Sequence, residues 1–143
     1  MSTKHKISLH VEYEHHWIDH PLNLIFQVDD RVLNLDVGGK NTVVIKKDVS
    51  LTEEEHRFSL ICKGKDHNNT VIDHNQQVIA DSYAKFTKFN IDSIDCMQLF
   101  KLNGYFVGEN KEIIKPTHGI WKNGAVYFDF RLPIYNWLLE SLF

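Results

Sequence analysis

Ile7-Ser8-Leu9-His10-Val11-Glu12-Tyr13 places an apolar side chain at every second position. Successive side chains of a strand point to opposite faces, so this run reads as a strand with one buried and one solvated face. The same period returns downstream. Leu22, Leu24, Phe26 and Val28 share one face of residues 22–28, and Asp29-Asp30 then marks a tight hairpin into Val32-Leu33-Asn34-Leu35. Gly38-Gly39-Lys40-Asn41 is the next turn, and the β-branched stretch from Thr42 to Val49 is the next strand. Thr52 with Glu55 fits a capping box, but no apolar helical face follows, so a turn into a strand from Arg57 is expected.

Ser82 to Ile94 reads as one long β-rich run whose apolar phase slips between Phe86 and Phe89, which marks a bulge. Met97 to Leu102 is a further short apolar run, and Val107 to Pro116 reads as irregular. Asn103-Gly104 and Asn123-Gly124 are hairpin-type turns that supply positive φ. Gly119–Lys122 and Ala125–Phe130 read as strands paired across the second of them. From Pro133 the period becomes helical, and proline suits a first helical turn. Many short strands between turn signals, with no βαβ alternation, predict an all-β protein. The expected fold is a single jelly-roll-like β-sandwich over residues 1–132, closed by a short C-terminal docking helix over 133–143 of the same domain.

The chain has 143 residues, 43% of them hydrophobic, which suits one compact domain. Cys62 and Cys96 read as reduced buried thiols. The basic start, Met1 to Lys6, is followed by no apolar stretch of the kind a secretory signal needs. No run approaches the ~18 apolar residues of a membrane span. A net charge of −3 lacks the concentrated basic face of a nucleic-acid binder. No nucleophile elbow, metalloprotease helix, phosphate-cradling loop or Cys-x-x-Cys is present, so no catalytic residue is assigned and an enzyme is not expected.

Three constellations could carry chemistry. Between the apolar runs 58–62 and 78–80 lies a polar loop with Asp66, Asn68, Asn69, Thr70 and Asp73, and Asp81 follows it. These are hard oxygen donors of the kind that gather Ca²⁺, or side chains that cap their own backbone in Asx-turns. His15-His16-x-x-Asp19-His20 offers imidazoles and a carboxylate to zinc, which would suit a metal-dependent hydrolase. Adjacent strand residues face opposite ways, so an exposed His-rich loop is the simpler reading. Trp17, Tyr105, Trp121 and Tyr127 could form a platform for sugar rings or serve as core. The tail residues Ile134, Tyr135, Trp137, Leu138 and Phe143 form an apolar helix too short to stand alone, so it must dock on its own sandwich or on a partner.

The run Lys63-Gly64-Lys65-Asp66-x-x-Asn69-Thr70-Val71-x-Asp73, then Val78-Ile79-Ala80-Asp81 and Ile91-Asp92-Ser93-Ile94-Asp95, resembles small β-sandwich proteins of tailed phages, especially T-even-like viruses of cyanobacteria. These are similar to calcium-dependent xylan-binding carbohydrate modules. The ending Phe130-Arg131-Leu132-Pro133-Ile134-Tyr135-x-Trp137-Leu138-Leu139-Glu140 also resembles theirs. The resemblance implies a jelly-roll-like sandwich made in the host cytoplasm and placed in the virion. It would be a structural or accessory protein of capsid, neck or tail, in contact with other virion proteins or further copies of itself. It also implies the alternative of a calcium-dependent carbohydrate-binding module acting on cell-surface glycan. Asp66, Asn69, Asp73 and Asp81 would then be the metal positions, and Trp17, Tyr105 and Trp121 the sugar-binding ones.

Overall fold

The computed structural model describes residues 3–36 and 41–142; the turn expected at Gly38-Gly39-Lys40 lies outside them. The strands in chain order are β1 (Lys4–His16), β2 (Asn23–Val28), β3 (Arg31–Asp36), β4 (Thr42–Thr52), β5 (Glu55–Lys63), β6 (Thr70–Ile72) and β7 (Val78–Asp81). They continue with β8 (Tyr83–Ile91), β9 (Ile94–Asp95), β10 (Tyr105–Gly108), β11 (Ile113–Ile114), β12 (Gly119–Ile120) and β13 (Gly124–Arg131). Two helices, α1 (Met97–Asn103) and α2 (Ile134–Leu142), complete the described residues.

Two sheets form an all-β sandwich. The first has the order β12-β8-β1-β4 with β9 on β8; the second has the order β11-β10-β13-β5-β2-β3. The chain crosses between the sheets at most connections, as in a jelly roll. Among the described residues β6 and β7 pair only with each other, as a separate two-stranded ribbon. The alternation at residues 7–13 does what its period dictates: Ile7, Leu9, Val11 and Tyr13 are buried while Ser8 is exposed. Leu22, Leu24, Phe26 and Val28 likewise face inward, and Asp29 turns the chain with φ 51°. The slip between Phe86 and Phe89 is a bulge, where Tyr13 pairs with Phe86 and Glu12 with Lys88.

The core is built on phenylalanine. Phe58 stacks on Phe130 with ring centroids 4.3 Å apart, Phe100 stacks on Phe128 at 4.6 Å, and Phe89 meets both Phe58 and Phe128 edge-on. Offset and edge contacts of this kind add about 0.5–1.5 kcal/mol each beyond the area they bury. α1 contributes Phe100 to this stack, so the apolar run at 97–102 is a helix that plugs the sandwich. α2 lays Trp137 against Phe128 and Phe130, with Ile134 and Leu138 buried beside it. Cys62 and Cys96 are free and buried, and burial pushes both thiols up to about 11.

Four local expectations are corrected. His15 and His16 belong to β1 and are not loop residues. Asn103-Gly104 is no hairpin turn: it ends α1, and Gly104 has φ −65°. Glycine is required there by close approach, since a Cβ would lie 2.2 Å from the Thr117 carbonyl oxygen. Gly119-Ile120 pairs with β8 in the first sheet and not across Asn123-Gly124, while Gly124 opens β13 with φ 145° and pairs with Gly108 and Cys62. Residues 107–116 are not irregular throughout, because β10 and β11 form a short hairpin within them.

Candidate functional site

The polar loop is held together by its own side chains. Asp66 caps the 3-10 turn His67–Asn69: its Oδ1 accepts from the Asn68 N–H at 2.9 Å, while Asn69 Oδ1 accepts from the Asp66 N–H at 3.0 Å. Asn69 is fully buried, and its Nδ2 donates to the carbonyls of Ile18 and His20, both at 2.8 Å. Ser82, also buried, donates to the Asn69 carbonyl at 2.8 Å and accepts from the Ile18 N–H at 2.9 Å. The loop after β1 is therefore stitched to the loop after β5. An amide is needed at position 69, because a carboxylate cannot donate to two carbonyls.

Lys65 makes the second stitch. Its ammonium lies 2.7 Å from Asp81 Oδ1, donates to the Ser82 carbonyl at 2.9 Å and also donates to the Trp121 carbonyl. Its backbone N–H donates to Asn123 Oδ1, and its carbonyl accepts from Asn123 Nδ2. Burial would raise the Asp81 pKa; Lys65, Thr70 and the Ser82 N–H outweigh it and hold the carboxyl below its usual range. The oxygen-rich spot beside Asp81 thus holds a cation that the chain itself supplies. Asp73 Oδ1 accepts from the N–H groups of Asn75 and Gln77 at the ribbon tip. Asp66, Asn69, Asp73 and Asp81 each serve backbone or side chain within the loop, and among the described residues no three His, Cys, Asp or Glu side chains converge as a metal site.

The histidines divide. His15 is buried, with Nδ1 2.9 Å from Asp36 Oδ2 and Nε2 accepting from the Leu22 N–H at 3.2 Å. That pattern fixes one neutral tautomer, with Nδ1 as the donor. His16 faces outward, 5.3 Å from the Tyr83 ring. His20 pairs with Asp19, which raises its pKa, as do the Gly64 carbonyl and Asp66. The exposed His-rich loop expected at 15–20 is corrected at His15, which is an inward strand residue with two partners.

The ribbon is the first open surface. Val71, Ile72, Val78 and Ile79 are 38%, 50%, 60% and 65% exposed on a two-stranded element that pairs with neither main sheet. A two-stranded ribbon is marginal without packing. Here its base is tied by Thr70 Oγ1 donating to Asp81 at 2.7 Å.

The outer face of the second sheet is the other open surface. Register places Leu35, Ile25, Ile61, Ala125, Val107 and Ile113 opposite one another in one row across all six strands. The next row runs Gln27, Ser59, Tyr127 and Tyr105, and beyond it Arg57 faces Asp129. Arg57 Nε donates to Asp129 at 2.6 Å, its guanidinium sits 4.8 Å from the Tyr127 ring centroid, and the Tyr105 hydroxyl donates to Asp129 at 3.3 Å. Two shallow hollows share Tyr127. One, about 510 Å³, is floored by Ile61, Gly124, Ala125 and Val107; the other, about 490 Å³, is lined by Asp29, Asp30, Glu55, Arg57 and Asp129. The outer face of the first sheet is different: Lys46, Asp48, Lys85, His10, Glu12 and Lys88 make it charged.

The aromatic platform is split between these faces. Tyr105 and Tyr127 lie on the second sheet, whereas Trp121 stacks on Tyr83 of the first at 5.8 Å. Trp17 follows the end of β1 and is 36% exposed. Of the tail residues expected to meet a partner, Ile134, Trp137 and Leu138 pack on the chain's own core, Tyr135 is exposed, and Phe143 lies outside the described residues. Neither open surface was singled out by the sequence. The signal for the ribbon was Val71-Ile72 and Val78-Ile79 on either side of a polar turn; the sheet-face row depends on cross-strand register, which no local pattern carries.

The chain matches no family model, no curated protein and no solved structure. Among the described residues no helix is long and apolar enough to cross a membrane.

Proposed function

We propose that the chain is a non-catalytic docking protein and, on its resemblance to phage sandwich proteins, an accessory component of a tailed-phage particle. The observation that carries the docking reading is the ribbon. Four β-branched side chains stand exposed on an element that pairs with neither main sheet. Exposed apolar side chains, with Ile72 and Val78 directly opposite each other, are the mark of a protein contact. The apolar tail, by contrast, is largely used in closing the sandwich.

The glycan reading draws less support. Tyr127 has its ring beneath the Arg57 guanidinium, and Trp121 has Tyr83 against it, so neither offers a clear pair of faces to a sugar. Calcium at the loop would have to displace Lys65 from Asp81. The zinc reading would need His15 to leave both Asp36 and the Leu22 N–H.

The test is mass spectrometry of particles purified from the source virus, with wild type competing against Ile72→Ser/Ile79→Ser for incorporation. Together these two side chains expose about one full apolar residue, so burying them contributes roughly 1.5–3 kcal/mol, or about ten- to a hundredfold in occupancy. Equal incorporation of the two proteins removes the ribbon from the contact. Absence of the chain from the particle removes the virion assignment.

A further inference from the structure

We infer that the outer face of the second sheet is a second, separate docking surface, and that its partner is an extended protein segment carrying a basic side chain a few residues from a large apolar one. Two hollows set this chemistry. The first has an apolar floor of Ile61, Ala125 and Val107, with Gly124 at its edge. The second gathers four carboxylates, Asp29, Asp30, Glu55 and Asp129, around Arg57 and the edge of His56.

The positive charges there are already engaged. Arg57 is committed to Asp129 and to Tyr127, and His56 to Asp29 and the Thr52 carbonyl. Asp30 and Glu55 are exposed and form no ion pair among the described residues. The second hollow therefore presents excess negative charge, which a Lys or Arg side chain complements. Ala125 and Asp129 mark the two hollows and lie four positions apart on β13, about 13 Å at roughly 3.3 Å per residue. An extended segment spans that distance with its apolar and basic residues two to four positions apart, the shorter spacing being reached by the long basic side chain. Tyr127, wall to both hollows, lies between them. A glycan lacks the cation this arrangement asks for. A second copy of this sheet face carries the same excess of carboxylates.

A displayed library of random twelve-residue peptides, selected on the intact protein, tests this. The expected result is enrichment of sequences with Lys or Arg two to four positions from Leu, Ile, Phe or Met. A synthetic peptide of the enriched sequence binds at least tenfold more weakly to Asp30→Asn/Glu55→Gln. Both positions are exposed, so that variant keeps its fold. Binding also falls at least tenfold with Ile61→Arg, checked for wild-type circular dichroism. No enrichment, enrichment without basic residues, or equal binding by the carboxylate variant overturns the inference. So does dimerisation, or oligosaccharide-array binding, that Ile61→Arg abolishes. These outcomes leave the ribbon's role untouched, since Ile72 and Ile79 lie outside both hollows.

Discussion

Asp29→Asn tests the carboxylate that holds His56. Asp29 Oδ2 accepts from His56 Nδ1 at 2.7 Å, and Asp29 Oδ1 accepts from the Arg57 N–H at 3.0 Å. His56 Nε2 lies 2.9 Å from the Thr52 carbonyl oxygen. Both ring nitrogens face acceptors, and only the imidazolium donates to both. Burial pulls the His56 pKa down; Asp29, the Thr52 carbonyl and the charge of Glu54 outweigh it, so the pKa is raised above the ordinary histidine value. A raised folded pKa contributes stability in full below the unfolded value of about 6.5, and the contribution is lost as pH climbs through the folded value. Asparagine keeps the size of Asp29, leaves an acceptor for Arg57 and tolerates its φ of 51°. The charge goes, and an amide N–H₂ replaces the acceptor that faces His56 Nδ1. A hydrogen bond to a charged group contributes roughly 1.5–3 kcal/mol. Because the Asp29 side chain is 41% exposed, screening places the loss at or below the lower end, about 1–1.5 kcal/mol. At about 2–4 °C per kcal/mol, Tm falls by about 2–6 °C near pH 5. As pH climbs toward 9 the wild-type ring gives up its proton too, and the gap narrows. Thermal unfolding followed by far-ultraviolet circular dichroism at the two pH values measures both gaps. A gap that stays constant, or widens at high pH, refutes the imidazolium clasp.

Two further substitutions test the packing around the candidate surfaces. Asn69→Asp leaves the carbonyls of Ile18 and His20 without their donor and buries a carboxylate. It lowers stability by at least about 2 kcal/mol in denaturant titration, with or without added Ca²⁺; a calcium-dependent recovery would restore the metal reading of the loop. Trp137→Ala uncovers Phe128 and Phe130 and costs about 2–3 kcal/mol, below the ~3–5 of a fully buried tryptophan. An unchanged unfolding midpoint would mean that α2 is dispensable to the sandwich and free to meet a partner.

The architecture was legible wherever period two survived in the chain. Residues 7–13 and 22–28 needed only their alternation, and even the Phe86–Phe89 bulge leaves a phase slip in the sequence. Readings failed where a local signal had two physical sources. Glycine at 104 looked like a turn former because Asn-Gly usually supplies positive φ, yet it is there because the Thr117 carbonyl and the Phe100 ring leave no room for a Cβ. Gly119 to Lys122 looked like the near half of a hairpin because Asn123-Gly124 follows it. Pairing is decided by which sheet the short strand can reach, and β8 captures it through Lys85 and Ala84.

The candidate site was hidden for a related reason. A row such as Leu35, Ile25, Ile61, Ala125, Val107 and Ile113 takes one residue from each of six strands, so no window of sequence contains it. The polar loop, by contrast, was conspicuous in sequence and is mostly internal in space. Its donors and acceptors are consumed in joining two loops through Asn69, Ser82 and Lys65. Conspicuous polar clusters in a β-sandwich can thus be the mortar, while the surfaces left to meet a partner are assembled by register from residues that look, one at a time, like ordinary strand positions. In this chain the mortar has a use: by pinning residues 18–20 to 65–69 and 81–82, it fixes the base from which the exposed ribbon projects. A partner gripping Val71, Ile72, Val78 and Ile79 would therefore engage a clamped arm, and the clamp lowers the ordering entropy that a loose hairpin would lose on binding.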